Sequence, residues 1–209
     1  MSRTILFDVD GVLVHGYHAK PEKQVRWDDR LEADLGVDPE RFRTEFIHDI
    51  FMKQVIVGRM SLLTALDRTL PALGYRGPSM AFAGYWLKHD ANINQPLLDV
   101  VGRLKQSGAR LFVATNQEHM RAQYLWQQLG FGELFEDMFH SARVGHIKPT
   151  KPYFNWVNAQ IGPQEEPPLF FDDRHDVVRG ARAAGWDAVQ YDELEDVTEH
   201  PWIKAQLER

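Results

Sequence analysis

The chain has 209 residues, 44% of them hydrophobic, with a formal net charge of −6 and no cysteine. That length accommodates one large domain, or a core with a small insert, and is enough to bury a real core. The acidic balance argues against nucleic acid or an anionic membrane as the main partner, and the missing cysteines exclude disulfides, thiolate metal sites and thiol catalysis. No apolar stretch approaches the ~20 residues a membrane span needs. No signal-peptide core follows Met1, because Asp8, Asp10 and His15 interrupt the early apolar runs. The expectation is a cytoplasmic protein, a monomer or weak dimer, with a small-molecule partner.

Thr4-Ile5-Leu6-Phe7 is a short apolar run that reads as a buried strand, and it runs into Asp8-Val9-Asp10-Gly11-Val12. Two carboxylates one residue apart repel, and burial makes each charge costlier. A divalent cation relieves both effects, and hard oxygen ligands suit magnesium. Gly11 lets the backbone turn sharply and come close to a ligand. The plainer alternative is a strand ending in an Asp- and Gly-rich turn.

Between about residues 15 and 90 the strand signal gives way to helical spacing. Trp27, Leu31 and Leu35 form one stripe, and Asp38-Pro39 opens a second helix carrying Phe42, Phe46 and Ile50. Leu62, Leu66 and Leu70 form a third stripe, and Pro78 opens a fourth helix with Phe82 and Trp86. Trp27, Trp86 and Trp126 are assigned to the core rather than to an aromatic binding surface. His15 and His18 follow the acidic turn closely, and Arg59 follows Gly58 in a loop. Each is a candidate substrate contact, with a solvated polar side chain as the alternative. The nine histidines show no metal-ligand spacing.

Leu97, Val101 and Leu104 mark a helix face that Gly108 brings to a stop. Leu111-Phe112-Val113-Ala114 is a second strand ending in Thr115-Asn116. This hydroxyl and amide suit a phosphoryl oxygen or, more simply, cap the helix beginning near Glu118. A weaker strand near Met138–Ser141 precedes Gly145-His146-Ile147-Lys148-Pro149, where the proline bars Lys148 from ordinary helix. Alone, Lys148 reads as a surface lysine. Thr150 and Pro152 start a helix carrying Phe154, Val157 and Ile161, and Glu165-Glu166-Pro167-Pro168 reads as a surface loop. Leu169-Phe170-Phe171 then leads into Asp172-Asp173-Arg174-His175-Asp176. These three carboxylates form either a solvated acidic turn or, as the preceding apolar run argues, a cluster with Asp172 near the core. A last strand is expected around 186–190. Strands alternating with helices predict an α/β fold, a doubly wound parallel sheet. Ligands in such folds sit beyond the carboxyl ends of the strands, where Asp8, Asp10, Thr115, Lys148 and Asp172 all fall.

In this order the segments resemble the haloacid dehalogenase (HAD) superfamily, most of whose members are phosphatases. Asp8 and Asp10 match its first motif, Thr115 the second, Lys148 the third, and Asp172, Asp173 and Asp176 the fourth, followed by a similar helix through Gly185. Each motif is weak singly, and four in order are specific. The resemblance implies a Rossmann-like catalytic core over 1–14 and 91–209, with a helical cap inserted over 15–90. Such a cap is similar to that of the β-phosphoglucomutase-like and epoxide-hydrolase-N-domain-like branch. It also implies Mg2+ held by Asp8, the backbone carbonyl of Asp10, and Asp172. Asp8 is then the nucleophile that forms an aspartyl-phosphate, and Asp10 the acid for the leaving oxygen and the base for water. Thr115 and Asn116 hold phosphate oxygens, and Lys148 offsets the charge of Asp8 and the phosphate. Asp173 and Asp176 divide between supporting the metal's water shell and a structural role, in either order. The family often carries a small acid or amide where His15 stands.

The dehalogenases themselves lack an acid two positions after the nucleophile and use no metal, because a halide leaves without a proton. Asp10 therefore favours a phosphatase, expected to hydrolyse a small phosphate ester. The alternatives are a phosphomutase on the same scaffold, or a non-catalytic protein that binds a phosphoryl ligand. The second is disfavoured because no motif residue is lost. A receiver-type signalling domain leaves the long insertion unexplained.

Overall fold

The computed structural model describes residues 3–208. Five strands, β1 (Thr4–Phe7), β2 (Arg110–Thr115), β3 (Asp137–His140), β4 (Leu169–Asp172) and β5 (Asp187–Gln190), form one parallel sheet in the order β3-β2-β1-β4-β5. The third of these extends over Asp137–His140, one residue earlier than the sequence predicts. Both faces of the sheet are covered, so the inner strands β1, β2 and β4 are near-continuous apolar runs rather than alternating ones. Ile5, Phe7, Leu111, Val113, Leu169 and Phe171 pack on one face. Leu6, Phe112, Ala114, Phe139 and Phe170 pack on the other. Central strand β1 is paired with β2 on one side and with β4 on the other. The chain order reverses between those neighbours, which opens a crevice beyond their carboxyl ends.

Four longer helices sandwich the sheet. α5 (Gln95–Gln106) and α6 (His119–Gln127) send Leu97, Val101, Leu104, Ala122 and Leu125 to the first face. α9 (Lys151–Ile161) and α10 (His175–Ala183) send Phe154, Val157, Val177 and Val178 to the second. Glu118 caps α6 itself, its side chain accepting from the Met120 and Arg121 N–H groups, so neither Thr115 nor Asn116 is consumed as a cap. Short helices α7 (Phe131–Leu134), α8 (Ser141–Val144), α11 (Glu195–Thr198) and α12 (Pro201–Leu207) complete the layers.

The segment between the first two strands is helical and has its own core. It contains α1 (Leu31–Leu35), α2 (Pro39–Phe42), α3 (Leu62–Thr69) and α4 (Ser79–His89). As the sequence suggests, the Asp38 side chain caps α2, accepting from the Glu40 and Arg41 N–H groups. Beyond Phe42 the backbone widens into a π-helical run, Arg43–Val55, where ordinary α-helix is expected. The apolar spacing gives the reason. Phe42, Phe46, Phe51 and Val55 recur every four or five residues, and a wider turn keeps them on one face. Trp27 lies outside α1, yet its ring stacks on Trp86 at 4.9 Å, and Phe42 lies between Phe46 and Phe82. Met120, on α6, packs against this second core from the sheet side.

The two connections to the helical segment run side by side. The His15 N–H donates to the Asn92 carbonyl (2.7 Å) and the Asn94 N–H to that of Leu13 (2.9 Å), with an antiparallel bridge between Val14 and Ile93.

Candidate active site

Asp8 is the first residue beyond β1, and its N–H still donates to the Phe171 carbonyl, so the sheet itself holds the backbone there. Asp172 is the last residue of neighbouring β4 and is completely buried. Lys148 reaches between the two from the loop before α9. Its Nζ lies 2.9 Å from Asp8 Oδ1 and 2.6 Å from Asp172 Oδ2, with 1% of its side chain exposed. The sequence in isolation makes Lys148 a surface lysine; its two carboxylate partners are what allow it to be buried. Asn116 fixes the lysine's backbone from both sides: its amide Nδ2 donates to the Lys148 carbonyl (3.0 Å) and its Oδ1 accepts from the Lys148 N–H (2.8 Å). The end of β2 thus positions the lysine, and Thr115 is buried at that same end.

A third carboxylate completes the cluster. Carboxylate oxygens of Asp8, Asp172 and Asp173 lie within 4.8 Å of one another, and all three residues are buried. Gly11 makes room for this. It has φ of 76°, and a Cβ there would come 2.6 Å from Asp173 Oδ2. The Ala19 N–H donates to that same oxygen at 2.5 Å. Oδ1 of Asp8 accepts from both Lys148 and the Val9 N–H (2.7 Å), which fixes the plane of its carboxylate.

Three buried carboxylates stand around one ammonium, and Asp8 and Asp173 respond to the imbalance. Burial pushes the Asp8 carboxyl up to about 7; Lys148 opposes the shift and Asp172 adds to it. Burial likewise raises Asp173 to about 7, with Asp8 adding to it. Burial works against the Lys148 charge, but Asp172 and Asp8 outweigh it and raise the ammonium above its ordinary value. A compact, all-oxygen, net negative donor set is what a hard divalent cation fits.

Asp10 belongs to a different network. Its carboxylate turns to Arg121, with Nη1 donating to Oδ2 (2.9 Å) and Nη2 to Oδ1 (2.8 Å), while Gln117 Nε2 donates to Oδ2 (2.5 Å). The carboxylate that joins Asp8 and Asp172 is therefore that of Asp173. Only the backbone carbonyl of Asp10 is left for the metal role that the resemblance implies. Of the two residues left in either order, Asp173 stands in the cluster, whereas Asp176 pairs with Arg174 at 2.7 Å and has 42% of its side chain exposed.

Of the candidates near the connections, His18 is buried rather than solvated. Its Nδ1 accepts from the Lys20 N–H (2.9 Å) and lies 3.8 Å from Asp173 Oδ2, and burial lowers its pKa. His15 and Arg59 are exposed. The loop carrying Arg59 is tied to the sheet end, since Ser141 Oγ donates to the Ile56 carbonyl at 2.6 Å.

Sequence reasoning missed Gln117, Arg121 and Asp90. A signal existed at Arg121, a charged residue four positions before Leu125 on the inward face of α6, where a charge needs a partner.

A family model for haloacid dehalogenase-like hydrolases matches residues 2–185. No curated protein matches the sequence. Among solved structures, the chain is similar to a HAD family enzyme, BT-2542, from Bacteroides thetaiotaomicron (18% identity, TM-score 0.76, covering 95% of this chain and 97% of that one). That enzyme also has a structure in complex with magnesium and inorganic phosphate (16% identity, TM-score 0.75, covering 95% and 98%). A predicted HAD-like family hydrolase from Porphyromonas gingivalis matches at 23% identity and TM-score 0.74, covering 100% and 99%. The L-2-haloacid dehalogenase of Xanthobacter autotrophicus matches at 16% and TM-score 0.62, covering 98% and 86%.

Proposed function

The chain belongs to the haloacid dehalogenase-like hydrolases, and from that premise we propose that it is a magnesium-dependent phosphatase acting on a small phosphorylated metabolite through an aspartyl-phosphate. The observation that carries this reading is the convergence of Asp8, Asp172 and Asp173 around one buried lysine, which leaves negative charge for a cation to balance. Asp10 separates it from the dehalogenase reading, because a halide needs no proton and an alkoxide does.

Phosphoryl transfer requires an in-line nucleophile, neutralised phosphate charge and a protonated leaving group. Asp8 attacks phosphorus while the bond to the leaving oxygen breaks, and Asp10 gives that oxygen its proton. Asp10 then takes a proton from the water that cleaves the acyl phosphate, which releases inorganic phosphate and restores Asp8. Lys148 orients Asp8 and offsets the phosphate charge, and Thr115 donates to a phosphate oxygen. Asp8, Asp172 and the backbone carbonyl of Asp10, with Asp173 beside them, would hold magnesium, which when bound supplies positive charge to the phosphate oxygens.

The reading extends to a cytoplasmic protein, a monomer or weak dimer, with the segment over 15–90 as a cap that selects the leaving group. Among the described residues no helix is long and apolar enough to cross a membrane.

The test is hydrolysis of p-nitrophenyl phosphate with and without magnesium. Chelation is expected to abolish turnover and added magnesium to restore it. Turnover indifferent to chelator removes the metal assignment. A folded protein that hydrolyses no phosphate ester removes the phosphatase reading.

A further inference from the structure

Arg121 stands in the first turn of α6, buried, and is the meeting point of three parts of the chain. Toward the catalytic turn it presents a two-point fork to Asp10, at 2.8 and 2.9 Å. Toward the helical segment its Nη2 lies 3.1 Å from Asp90 Oδ2 and donates to the Asp90 carbonyl at 3.3 Å. Asp90 directly follows α4, where the helical segment returns to the sheet, and Trp86 Nε1 donates to its Oδ2 at 3.3 Å. The outgoing connection passes the same point: a Cβ on Gly16 would lie 2.9 Å from Asp90 Oδ1.

A buried guanidinium needs partners, and Asp90 meets only Nη2. Asp10 takes Nη1 and a second bond from Nη2, so one planar group is held against both acids, with the Asp10 side chain 23% exposed toward the site. The side-chain hydrogen bonds described for Asp10 come from Arg121 and Gln117. A planar fork fixes both the direction and the rotation of a carboxylate, which a single point charge does not. An acid that must reach a leaving oxygen at about 2.6–3.2 Å depends on that direction, and a displacement of about 1 Å costs on the order of 100-fold in rate.

Resting on the phosphatase reading above, we propose that Arg121 is a positioning residue that orients Asp10, one bond of the fork giving way when Asp10 takes up the proton so that its O–H faces the leaving oxygen, and that Asp90 anchors Arg121 from the connection to the helical segment. Arg121 touches no reacting atom in this scheme. Its effect passes through Asp10, so it falls on the half-reaction in which a proton is delivered.

The experiment compares kcat/KM for an alkyl phosphate, whose leaving group needs a proton, with that for p-nitrophenyl phosphate, whose leaving group needs little help. The proteins are the native enzyme, Arg121→Met, Arg121→Lys, Asp90→Asn, Asp10→Asn and the Asp10→Asn/Arg121→Met double variant. Arg121→Met is expected to lose about 100-fold on the alkyl ester and about 10-fold or less on the aryl ester. Arg121→Lys keeps the charge without the fork and falls between. Asp90→Asn shows the same preference at smaller size. In the double variant Arg121→Met adds little to the alkyl loss already caused by Asp10→Asn, because the two act through one group. Competitive inhibition by inorganic phosphate, set by the Lys148 side of the site, stays within about two-fold of native.

Equal losses on both esters from Arg121→Met and Arg121→Lys, fully additive with Asp10→Asn, overturn the inference and leave Arg121 a structural residue. If Arg121→Met does not fold, as thermal denaturation will show, Arg121→Lys and Asp90→Asn decide by the same alkyl-to-aryl ratio. A native enzyme inactive on both esters defeats the phosphatase reading and takes this inference with it. A native enzyme whose Asp10→Asn variant shows no preference between esters defeats the acid role of Asp10. A selective Asp10→Asn with an unselective Arg121→Lys defeats only the positioning role.

Discussion

Two carboxylate networks start from the same five-residue turn and are neutralised to different degrees. Asp8 joins Asp172 and Asp173, three buried acids with one lysine among them, and two of the three are pushed up to about 7. Asp10 joins Asp90 around a single arginine, with Gln117 and Trp86 donating as well. Burial raises Asp90 only to about 6, because Arg121 opposes the shift. For Arg121, burial opposes the charge, and Asp10 and Asp90 more than reverse that, lifting it above the ordinary arginine range. The first network has two more carboxylates than cations and has the form of a site that awaits a ligand. The second has one more, and donors from Arg121, Gln117 and Trp86 hold its acids in fixed directions. Residues two apart in sequence thus serve different ends, and the difference lies in their partners.

The comparison breaks most completely at Asp8. On the proposed mechanism Asp8→Asn removes the nucleophile, and it is expected to lower kcat on p-nitrophenyl phosphate by at least about 10⁴-fold, the scale of losing a nucleophile in covalent catalysis. Mass spectrometry of acid-quenched enzyme should detect a phosphoenzyme in the native protein and none in the variant. A phosphorylated Asp8→Asn protein would move the nucleophile elsewhere.

Lys148→Ala tests the other half of that network. Removing one member of a buried ionic group leaves its partners uncompensated, a cost of about 3–5 kcal/mol. Denaturant unfolding in the presence of chelator should show a loss of that order, part of it recovered by magnesium. Rates on all phosphate esters should fall together, by about 10²–10³-fold, because the phosphate itself loses a positive partner. A loss confined to some esters would argue that Lys148 contacts the leaving group instead.

The charge imbalance also predicts how stability follows pH. Asp8 and Asp173 have folded pKa values raised from 3.8 to about 7. Their contribution is fully present below about pH 4 and is lost as pH rises through 7. Burial lowers His140 to about 4 and also lowers His18 and His200, and these run the other way below pH 6.5. The decisive quantity is therefore the difference between native protein and Asp173→Asn. Without metal, native stability should fall relative to the variant between pH 5 and 8. Magnesium at about 100 times its Kd should add about 2.7 kcal/mol at pH 8, and less at pH 5, where protons compete. A magnesium effect equal in the two proteins would exclude Asp173 from the ligand set.

Much of the first network was legible in the sequence and little of the second. β1, β2 and β4 bury both faces, so they read as unbroken apolar runs, and the residues at or just beyond their carboxyl ends are fixed by the sheet. Asp8, Thr115 and Asp172 are found in that way, with Lys148 marked by the proline after it. Arg121 and Asp10 stand 111 positions apart, and Arg121 and Asp90 a further tertiary contact; no periodicity encodes such a pairing. The π-helical run shows the same limit on a smaller scale. Its spacing of four or five residues reads as α-helix until the shared core of Phe42, Phe46 and Trp86 favours the wider turn. Trp27 reads as part of a helix because its spacing is right, although stacking on Trp86 is what places it.

The smallest expected effects lie in the helical segment, and they sharpen the comparison by asking which residues belong to neither network. The phosphoryl group is common to every ester, so residues that hold it cannot choose among leaving groups; that choice must come from contacts at the other end. His15 and Arg59 are exposed and stand outside both charge networks. His15→Ala and Arg59→Ala should therefore change kcat/KM ratios among bulky phosphate esters by about 10-fold or less, while a small ester is nearly unaffected. His18 belongs to the other group despite its nearness in sequence, because its ring is buried 3.8 Å from Asp173. His18→Ala should lower small and bulky esters in proportion and weaken the magnesium dependence of unfolding. If His15→Ala and Arg59→Ala also lower every ester in proportion, the helical segment acts by excluding water alone. The leaving group would then have to be chosen by the loops at the end of the sheet.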